Sequence, residues 1–368
     1  MDENIPDLLA FPYGHDLFKI EAYQNGQIIF QDKASCFPAY LLDPKKHAGD
    51  IIDTCAAPGN KTTHVAALLH GGDSSEHEER KVFAFERNPH RSTILRKMVT
   101  RAGGDNLISI FGSKDFLTVS PGDAQFANVE ALLLDPSCSG TGIVGRDDEP
   151  KMHLPEINAA QTTGTSKKRK RDAKEQKSTK IEKTEDDEEN EVIDEDKNLE
   201  ERLRTLSEFQ FQLIQRAMDF PKAQRITYST CSIHAEENEH VVMRALASQV
   251  AQERGWRILL RHEQPIGLKN WAIRGVKEAC KAGQKTFAAH LQHTADDTVA
   301  GIADACIRCE KGTKEGTMGF FVAAFMRKDV EGGRITTNGN GFAEPAASET
   351  SSDQGGDEEE WAGFSDED

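Results

Sequence analysis

Leu132-Leu133-Leu134-Asp135-Pro136-Ser137-Cys138-Ser139-Gly140-Thr141-Gly142 is the stretch that decides the fold. Three consecutive leucines bounded by turn residues are typical of a strand covered on both faces, as in a parallel sheet. Asp135 and Cys138 follow directly, at or just beyond the carboxyl end of the strand, which is where open α/β sheets bind ligands. The small residues after Cys138 let the backbone approach a bound molecule closely. The stretch therefore predicts an α/β fold with a site at this strand tip.

A second strand ends in the same way. Ile226-Thr227-Tyr228-Ser229-Thr230-Cys231-Ser232 places another cysteine just past a short β-prone run. One cysteine alone would indicate little, because cysteines are often small buried apolar residues. Two cysteines at strand tips, with Asp135 three residues before one of them, favour a chemical role for the thiols.

The first strand of the predicted sheet lies upstream, at Gly49-Asp50-Ile51-Ile52-Asp53, and a turn of small residues and a helix follow it. This order is typical of the nucleotide cradle of a doubly wound fold. The turn has neither the glycines of a P-loop nor a dinucleotide fingerprint. Glu86 ends the next predicted strand, where a carboxylate can accept both hydroxyls of a ribose. A nucleoside without a pyrophosphate fits this pattern, and S-adenosylmethionine is the common example.

The remaining predicted elements alternate as a doubly wound fold requires. Helices are expected at residues 89–102, 203–220 and 235–253, and strands at 82–86, 107–111, 256–260 and 319–325. A glycine-rich loop region is expected from about residue 261 to 318. We therefore predict a mostly parallel, seven-stranded sheet with helices on both faces.

Charge and composition divide the 368 residues into three parts. Residues 331–368 carry 11 Asp and Glu against one Arg, a net −10 of the chain's −17. We predict an approach segment at 1–48, the remnant of an RNA-binding region. A folded domain is expected at 49–330, interrupted by a disordered charged insertion at about 160–200, and a disordered acidic tail follows at 331–368. The basic cluster at 167–171 resembles a nuclear import signal, and a solvated charge run is the alternative.

The sequence also excludes some classes of protein. It has no run of 18 apolar residues and no signal-peptide pattern at its N-terminus, so we expect an intracellular protein. Seven cysteines scattered over a long chain argue against a disulfide framework. Cys306-Ile307-Arg308-Cys309 could be half of a zinc site with Cys280, His290 or His293, but a second close pair is missing. We therefore expect no metal.

Three motifs now point to a family. They are Asp53-Thr54-Cys55-Ala56-Ala57-Pro58-Gly59-Asn60-Lys61-Thr62, then Asp135-Pro136-Ser137-Cys138-Ser139-Gly140, then Tyr228-Ser229-Thr230-Cys231-Ser232 with Glu236-Glu237-Asn238-Glu239 after it. Together they resemble the signature motifs of the Nol/Nop/Sun family of RNA (cytosine-5) methyltransferases, over residues from about 5 to 325 without the insertion. Within the family, Pro58 to Thr62 and Gln31-Asp32-Lys33-Ala34-Ser35-Cys36 most resemble the branch that modifies large-subunit ribosomal RNA.

The resemblance implies a Rossmann-like class I S-adenosylmethionine-dependent methyltransferase with covalent catalysis. Carbon 5 of cytosine becomes nucleophilic enough to accept a methyl group once a thiolate has added to carbon 6. By resemblance Cys231 is that nucleophile, Asp135 binds the base, Cys138 helps to release the product and Lys61 lies near the base or its phosphate. DNA cytosine methyltransferases place the nucleophile at a Pro-Cys position, so exchange of the two cysteine roles is the main alternative.

The resemblance also suggests which residues contact the methyl donor. These are Cys55, Ala56, Ala57, Pro58, Gly59, Asn60, Lys61, Glu86, Arg91, Asp115 and Asp135. Asp115 could instead cap a helix or turn, and Arg91 could be an exposed helix charge.

The expected partner is RNA, in particular ribosomal RNA or pre-ribosomal particles. A duplex hides carbon 6 of cytosine from a thiol, so the target cytosine must be unpaired or flipped out. We expect the protein to be a monomer that does not associate with membranes. Its expected location is the nucleus, and within it the nucleolus. Family members generally carry an N-terminal extension before the region that corresponds to Ile5, and this chain has nearly none, so its autonomous affinity for RNA is open. Two other functions are alternatives to RNA methylation. A scaffold in ribosome assembly would keep the fold without turnover, and amino-group methylation is disfavoured because Asp-Pro-Ser-Cys stands where those enzymes have Asn/Asp-Pro-Pro-Tyr/Phe.

Overall fold

A computed structural model describes residues 2–11, 19–71, 80–143, 185–287 and 296–327, all within one unit, Met1–Asp329. Its described strands form one sheet in the order β3-β2-β1-β4-β5-β8-β6, and β7 pairs with β8. In chain order the strands are β1 (Asp50–Asp53), β2 (Val82–Glu86), β3 (Ile108–Gly112), β4 (Val129–Leu134), β5 (Arg225–Thr230), β6 (Trp256–Ile258), β7 (Ile307–Cys309) and β8 (Phe320–Arg327).

The sheet is mostly parallel, as predicted. Strands β1 to β5 pair in parallel, and β8 runs antiparallel to β5, β6 and β7. The predicted number of strands was wrong, because the sheet has eight rather than seven. The additional strand is β7, a segment of three residues that pairs with the first part of β8, while β6 pairs with the last part. A strand this short leaves almost no alternation in the sequence to detect.

Helices flank the sheet. They are α1 (Glu21–Gln24), α2 (Lys33–Leu42), α3 (Asn60–His70), α4 (Pro89–Arg101), α5 (Glu185–Met218), α6 (Glu239–Ala247), α7 (Gln249–Arg254), α8 (Ile266–Lys269), α9 (Lys277–Phe287) and α10 (Asp296–Ala305). The predicted loop region at 261–318 is therefore wrong, since it contains α8, α9, α10 and β7. Its glycines partly serve packing: a Cβ on Gly283 of α9 would lie 3.1 Å from Met243 Cβ of α6. Among helices in the described ranges, none combines the length and apolarity needed to cross a bilayer.

The predicted helix at 235–253 is broken into three pieces. A 3-10 turn at Ala235–Glu237 precedes α6, and Ser248 separates α6 from α7 with an extended backbone. The Ser248 hydroxyl accepts a hydrogen bond from the Ala251 N–H at 3.3 Å, so it caps the start of α7. The apolar periodicity continues across the break, which is why the sequence predicted one helix.

Helix α5 begins much earlier than predicted. It starts at Glu185, so the last part of the segment predicted to be disordered, residues 185–200, is helical. Its carboxyl-terminal half is fixed by buried residues such as Leu206 and Ile214, and adding turns to an existing helix costs little because nucleation is already complete. Residues 144–184, with the basic cluster at 167–171, and the tail from residue 328 lie outside the described residues.

The run of leucines in β4 is buried on both faces of the sheet. Leu132 and Leu134 join a core cluster that includes Phe85 and Ile226 and packs against α5 and α6. Leu133 faces the other side, in a second cluster with Val65 of α3 and other apolar residues. This alternation follows from the two-residue period of a strand, and it confirms the interpretation of the three leucines as a doubly covered strand.

Helix α2 belongs to the core, although its residues fall in the predicted approach segment. Phe37 is fully buried, and its ring meets the edge of Trp271 with 5.0 Å between the centroids. Both residues join a third apolar cluster with Val322 of β8 and Leu268 of α8. Asp32 caps the helix by accepting the Ala34 N–H at 2.9 Å. Residues 33–42 are therefore part of the folded domain.

Replacement of Phe37 tests this assignment. Phe37→Ala should lower the free energy of unfolding by about 3–5 kcal/mol, because it leaves a cavity in a fully buried cluster. Phe11→Ala is the matched control and should change the free energy by less than about 1 kcal/mol, since Phe11 is 44% exposed. Chemical denaturation of both variants measures the difference. A loss of unfolding free energy in Phe37→Ala as small as that in Phe11→Ala would show that α2 does not contribute to the core.

Candidate active site

A cavity of about 1020 Å³ opens at the carboxyl ends of β1, β2, β4 and β5. Most of the predicted site residues line it: Cys55, Ala56, Ala57, Pro58, Asn60, Lys61, Glu86, Arg91, Asp115, Asp135, Cys138 and Cys231. Gly59 does not. It has a φ of +116°, and a Cβ there would lie 2.9 Å from Met98 Cγ. Gly59 therefore lets the β1–α3 turn pass closely over α4.

The two thiols meet in this cavity. Cys138 Sγ lies 3.2 Å from Cys231 Sγ, and both cysteines are free. The hydrogen bond from Cys138 is the largest influence on the pKa of Cys231 and lowers it below its ordinary value, although burial and Asp135 act in the opposite direction. The same hydrogen bond, followed by burial, raises the pKa of Cys138 well above its ordinary value. These opposite shifts favour the proton on Cys138 and give Cys231 the greater thiolate character.

A lysine and a carboxylate form an ion pair beside the thiols. Lys61 Nζ lies 2.8 Å from Asp135 Oδ2, and the Ser229 hydroxyl donates to Asp135 Oδ1 at 2.6 Å. Burial disfavours the charged form of Lys61, but the carboxylate of Asp135 outweighs it and raises the pKa of Lys61. The positive charge of Lys61 in turn helps to lower the pKa of Cys231. Ser229 was not among the predicted site residues, although it stands in the third motif.

The loop that carries Cys138 is tied to the loop that carries Cys231 through the backbone. The Gly142 N–H donates to the Cys231 carbonyl oxygen at 2.9 Å, and the Gly319 N–H donates to the Gly142 carbonyl oxygen at 3.0 Å. These two bonds link the two cysteine loops to the start of β8. The thiols are therefore held together by more than their own contact.

Asp53 orders the turn between β1 and α3. Its side chain is 1% exposed and accepts hydrogen bonds from the Thr62 hydroxyl at 2.7 Å and the Cys55 N–H at 3.3 Å. Burial raises the pKa of Asp53 to about 7, although the Thr62 hydrogen bond favours the charged form. Asp53 begins the first motif, but the sequence analysis predicted no role for it.

The other half of the cavity contains Glu86, Arg91 and Asp115. Glu86 is 4% exposed, and its Oε1 accepts the Asn88 N–H at 2.8 Å. Arg91 bridges the two walls, with Nη1 3.6 Å from Glu86 Oε2 and Nη2 donating to the Ala57 carbonyl oxygen at 2.5 Å. Arg91 therefore fixes the turn to the tip of β2. Asp115 caps a short 3-10 turn by accepting the Leu117 N–H at 2.9 Å, and it still lines the cavity.

Residues before α2 and in its first turn complete one wall that the site prediction missed. Phe30, Gln31, Asp32 and Ser35 line the cavity. The Asn60 side chain donates to the Phe30 carbonyl oxygen at 3.0 Å, which ties this wall to the β1–α3 turn. The signal for this wall was present, because the stretch from Gln31 to Cys36 was singled out for its family resemblance.

The remaining described cysteines are packing residues. Cys306 lies just before β7 and Cys309 at its end, in different core clusters on opposite faces of the sheet. Burial raises the pKa of the thiols of Cys36, Cys55, Cys280, Cys306 and Cys309. Within the described ranges no group of three or more His, Cys, Asp or Glu could hold a metal ion. His290 and His293 lie outside those ranges.

Comparisons with known proteins agree with the motifs. Residues 39–173 match the family model described as 16S rRNA methyltransferase RsmB/F. The chain is 35% identical to the 25S rRNA (cytosine-C(5))-methyltransferase rcm1 of Schizosaccharomyces pombe, over 88% of this chain and 54% of that protein. It is 34% identical to the 28S rRNA (cytosine-C(5))-methyltransferase of Mus musculus, over 90% of this chain and 53% of that protein. The chain thus spans about half the length of these two relatives.

Solved structures support the fold. NSun6 from Pyrococcus horikoshii with SFG aligns with a TM-score of 0.51 at 18% identity, over 85% of this chain and 56% of that chain. A methyltransferase homolog protein from the same organism aligns with a TM-score of 0.50 at 19% identity, over 86% of this chain and 73% of that chain. With the observed strand order, this likeness confirms the Rossmann-like class I fold.

The hydrogen bond between the thiols predicts a measurable reactivity. Cys138→Ala removes the donor to Cys231, so the pKa of Cys231 should rise and its alkylation by iodoacetamide near pH 7–8 should slow, because the thiolate is the reactive form. Cys138→Ser keeps a hydroxyl donor and should restore part of the rate. Mass spectrometry of the Cys231 peptide over a pH series measures both effects. An unchanged pH profile in Cys138→Ala would contradict the assigned direction of this hydrogen bond.

Proposed function

Because the chain belongs to the RsmB/F, or Nol/Nop/Sun, family of RNA methyltransferases, we propose that it transfers a methyl group from S-adenosylmethionine to carbon 5 of a cytosine in RNA. The proposed substrate is large-subunit ribosomal RNA, the kind of RNA named for both relatives reported above. The observation that carries the proposal is the 3.2 Å approach of Cys138 and Cys231 beside the Asp135–Lys61 pair in one cavity.

The first chemical step is an addition by Cys231. Carbon 5 of cytosine is a weak nucleophile, and a thiolate that bonds to carbon 6 converts the ring into an enamine that can attack a methyl donor. Cys231 suits this role because the Cys138 hydrogen bond and the charge of Lys61 both favour its thiolate. Its side chain is also less buried than that of Cys138. The geometry therefore favours Cys231 over the exchanged assignment.

Asp135 and Lys61 act on the base during this addition. Negative charge moves onto the ring as the carbon–sulfur bond forms, and N3 takes up a proton from water that neutralises it. Asp135 would bind N3–H and the exocyclic amine, while Ser229 and Lys61 hold its two oxygens in place at 2.6 and 2.8 Å. Lys61 is thus an electrostatic partner of both the carboxylate and the thiolate.

Cys138 acts after methyl transfer. The carbon 5 proton leaves to water, and the electron pair of that bond re-forms the ring double bond as the bond between carbon 6 and Cys231 Sγ breaks. The electron pair of the broken bond returns to Cys231, and N3 gives up its added proton to water, which leaves neutral 5-methylcytosine. Cys138 lies at the atom that must leave. It keeps its own proton at neutral pH, since its pKa is raised. A thiol donor next to the departing sulfur would stabilise the thiolate as it forms.

The second half of the cavity suits the methyl donor. S-adenosylmethionine supplies an activated methyl group on a sulfonium sulfur. Glu86 is a buried carboxylate at the tip of β2, placed as the ribose-binding residue of a doubly wound fold. Backbone groups of the β1–α3 turn, together with Asp115, would hold the rest of the molecule. Cys55 itself would act through its backbone, because its thiol packs against the core.

An RNA substrate sets two further expectations. Its target cytosine must be unpaired or flipped out, since a duplex hides carbon 6 from a thiol. Ribosomal RNA methylation also implies ribosome biogenesis and rRNA processing in the nucleus, within the nucleolus and on pre-ribosomal particles. In this proposal the protein acts as a monomer.

Covalent trapping tests the chemistry. Cys138→Ala mixed with S-adenosylmethionine and unmodified 25S rRNA transcript of Schizosaccharomyces pombe should accumulate an RNA adduct that survives a denaturing gel, because addition proceeds and release is impaired. Cys231→Ala should form none. The reverse pattern would exchange the roles of the two cysteines. Absence of an adduct in both variants would exclude covalent catalysis.

Donor binding provides a separate test. Glu86→Gln should weaken S-adenosylmethionine binding by about 10- to 100-fold, the loss expected for hydrogen bonds to a charged acceptor. Glu253→Gln makes the same change at an exposed position of α7 and should bind as the unchanged protein does. Isothermal titration calorimetry measures both dissociation constants. An unaffected Glu86→Gln variant would refute the ribose-binding role of Glu86.

A further inference from the structure

The stretch Glu236-Glu237-Asn238-Glu239 has no part in the chemistry described so far. Glu236 is exposed, whereas Glu237, Asn238 and Glu239 are each fully buried. Burying two carboxylates is costly unless each is hydrogen-bonded. Their partners therefore indicate what these side chains hold in place.

Glu237 and Gln210 hold the two peptide groups that flank Cys138. The Ser139 N–H donates to both carboxylate oxygens of Glu237, at 3.0 and 3.2 Å. Gln210 Nε2 donates to the Ser137 carbonyl oxygen at 3.1 Å and to Glu237 Oε1 at 2.9 Å. One buried pair thus binds the backbone immediately before and immediately after the cysteine.

Tyr228 packs behind this pair. Its hydroxyl is fully buried and lies 3.0 Å from Gln210 Oε1, and it also contacts the Glu237 carbonyl oxygen. Because the Ser137 carbonyl oxygen and the Glu237 carboxylate can only accept, Gln210 turns its Nε2 toward the Cys138 loop and its Oε1 toward Tyr228. Tyr228 lies in β5, three residues before Cys231, so the support is built on the sheet.

The Cys231 loop is held by different residues of the same stretch. Asn238 accepts from the Thr230 hydroxyl at 2.6 Å and donates to the Ser232 carbonyl oxygen at 2.9 Å. Glu239 forms a bidentate pair with Arg308, at 2.7 and 2.5 Å, and Arg308 donates to the Ile233 carbonyl oxygen at 3.0 Å. The supports of the two thiols are therefore distinct.

We propose that Glu237 and Gln210 are positioning residues for Cys138, and that they govern release of the methylated product rather than methyl transfer. The inference rests on the proposed function, in which Cys138 serves release and Cys231 serves addition. It goes further, because it assigns to each half of the stretch one thiol and one stage of the reaction.

The charge of Glu237 supports the same role by a second route. It is one of the groups that raise the pKa of Cys138, and it thereby helps to keep the proton that Cys138 shares with Cys231. A neutral residue at this position would loosen the loop and weaken the preference for protonated Cys138. Both effects act first on Cys138, because the Glu237 carboxylate bonds to Ser139 and Gln210.

The experiment compares Glu237→Gln with the unchanged protein, using S-adenosylmethionine and the 25S rRNA transcript named above. A single round of methyl transfer should stay within about threefold, while the trapped adduct should rise and repeated turnover should fall by about tenfold each, the effect of weakening a hydrogen bond to a charged group. Glu236→Gln, the same change at the exposed neighbour, should match the unchanged protein. Gln210→Leu should reproduce Glu237→Gln and carries the test if Glu237→Gln does not fold.

Three outcomes would overturn the proposal. A folded Glu237→Gln variant with normal adduct and turnover, next to a Cys138→Ala variant that traps RNA, would remove the positioning role and leave the proposed function intact. Equal loss of methyl transfer and adduct in a folded variant would indicate a structural role only. A Cys138→Ala variant that traps nothing would remove the proposed release role of Cys138 and this inference with it.

Discussion

The register between β4 and β5 is the constraint on which the site depends. Leu134 pairs with Tyr228, so Asp135, the first residue after β4, lies beside Ser229 of β5 and accepts a hydrogen bond from its hydroxyl at 2.6 Å. Each of the two strands is followed within a few residues by a cysteine, and the two thiols meet. A slip of one residue would turn every side chain of the strand to the opposite face. Such a slip would also break the hydrogen bond between Asp135 and Ser229 that joins the ends of the two strands.

Several buried charged groups near this edge of the sheet each hold a loop. Asp53 binds the β1–α3 turn, Glu237 the Cys138 loop, and Glu239 with Arg308 the Cys231 loop. A low-dielectric setting makes such bonds strong and makes a missing partner expensive. The loops are therefore fixed by a few demanding contacts rather than by extensive apolar packing. Such contacts give the precise placement that reacting atoms need.

The sequence predicted the parts of the site that depend on local order. Asp135, Cys138 and Cys231 each follow a β-prone run, and parallel strands bring their carboxyl ends to one edge, so proximity could be inferred. Contacts between distant segments could not: Glu237 and Ser139 are 98 residues apart, and no local pattern links them. The fold shows the same division. Strand β7 is too short for periodicity, and Ser248 interrupts a helix without disturbing its apolar pattern. Helix α2 joins the core through residues far along the chain, such as Trp271 and Val322.

The crossing of Gly142 and Gly319 limits how this site can change over time. A Cβ on Gly142 would collide with the Gly319 carbonyl oxygen, and one on Gly319 would lie 2.8 Å from Gly142 Cα. Each collision is with backbone, which cannot rotate away as a side chain can. No substitution at one position makes room for a substitution at the other, so a change at one glycine cannot be compensated by a change at the other. Sequence divergence near the thiols must therefore go around this crossing and accumulate elsewhere on the cavity wall.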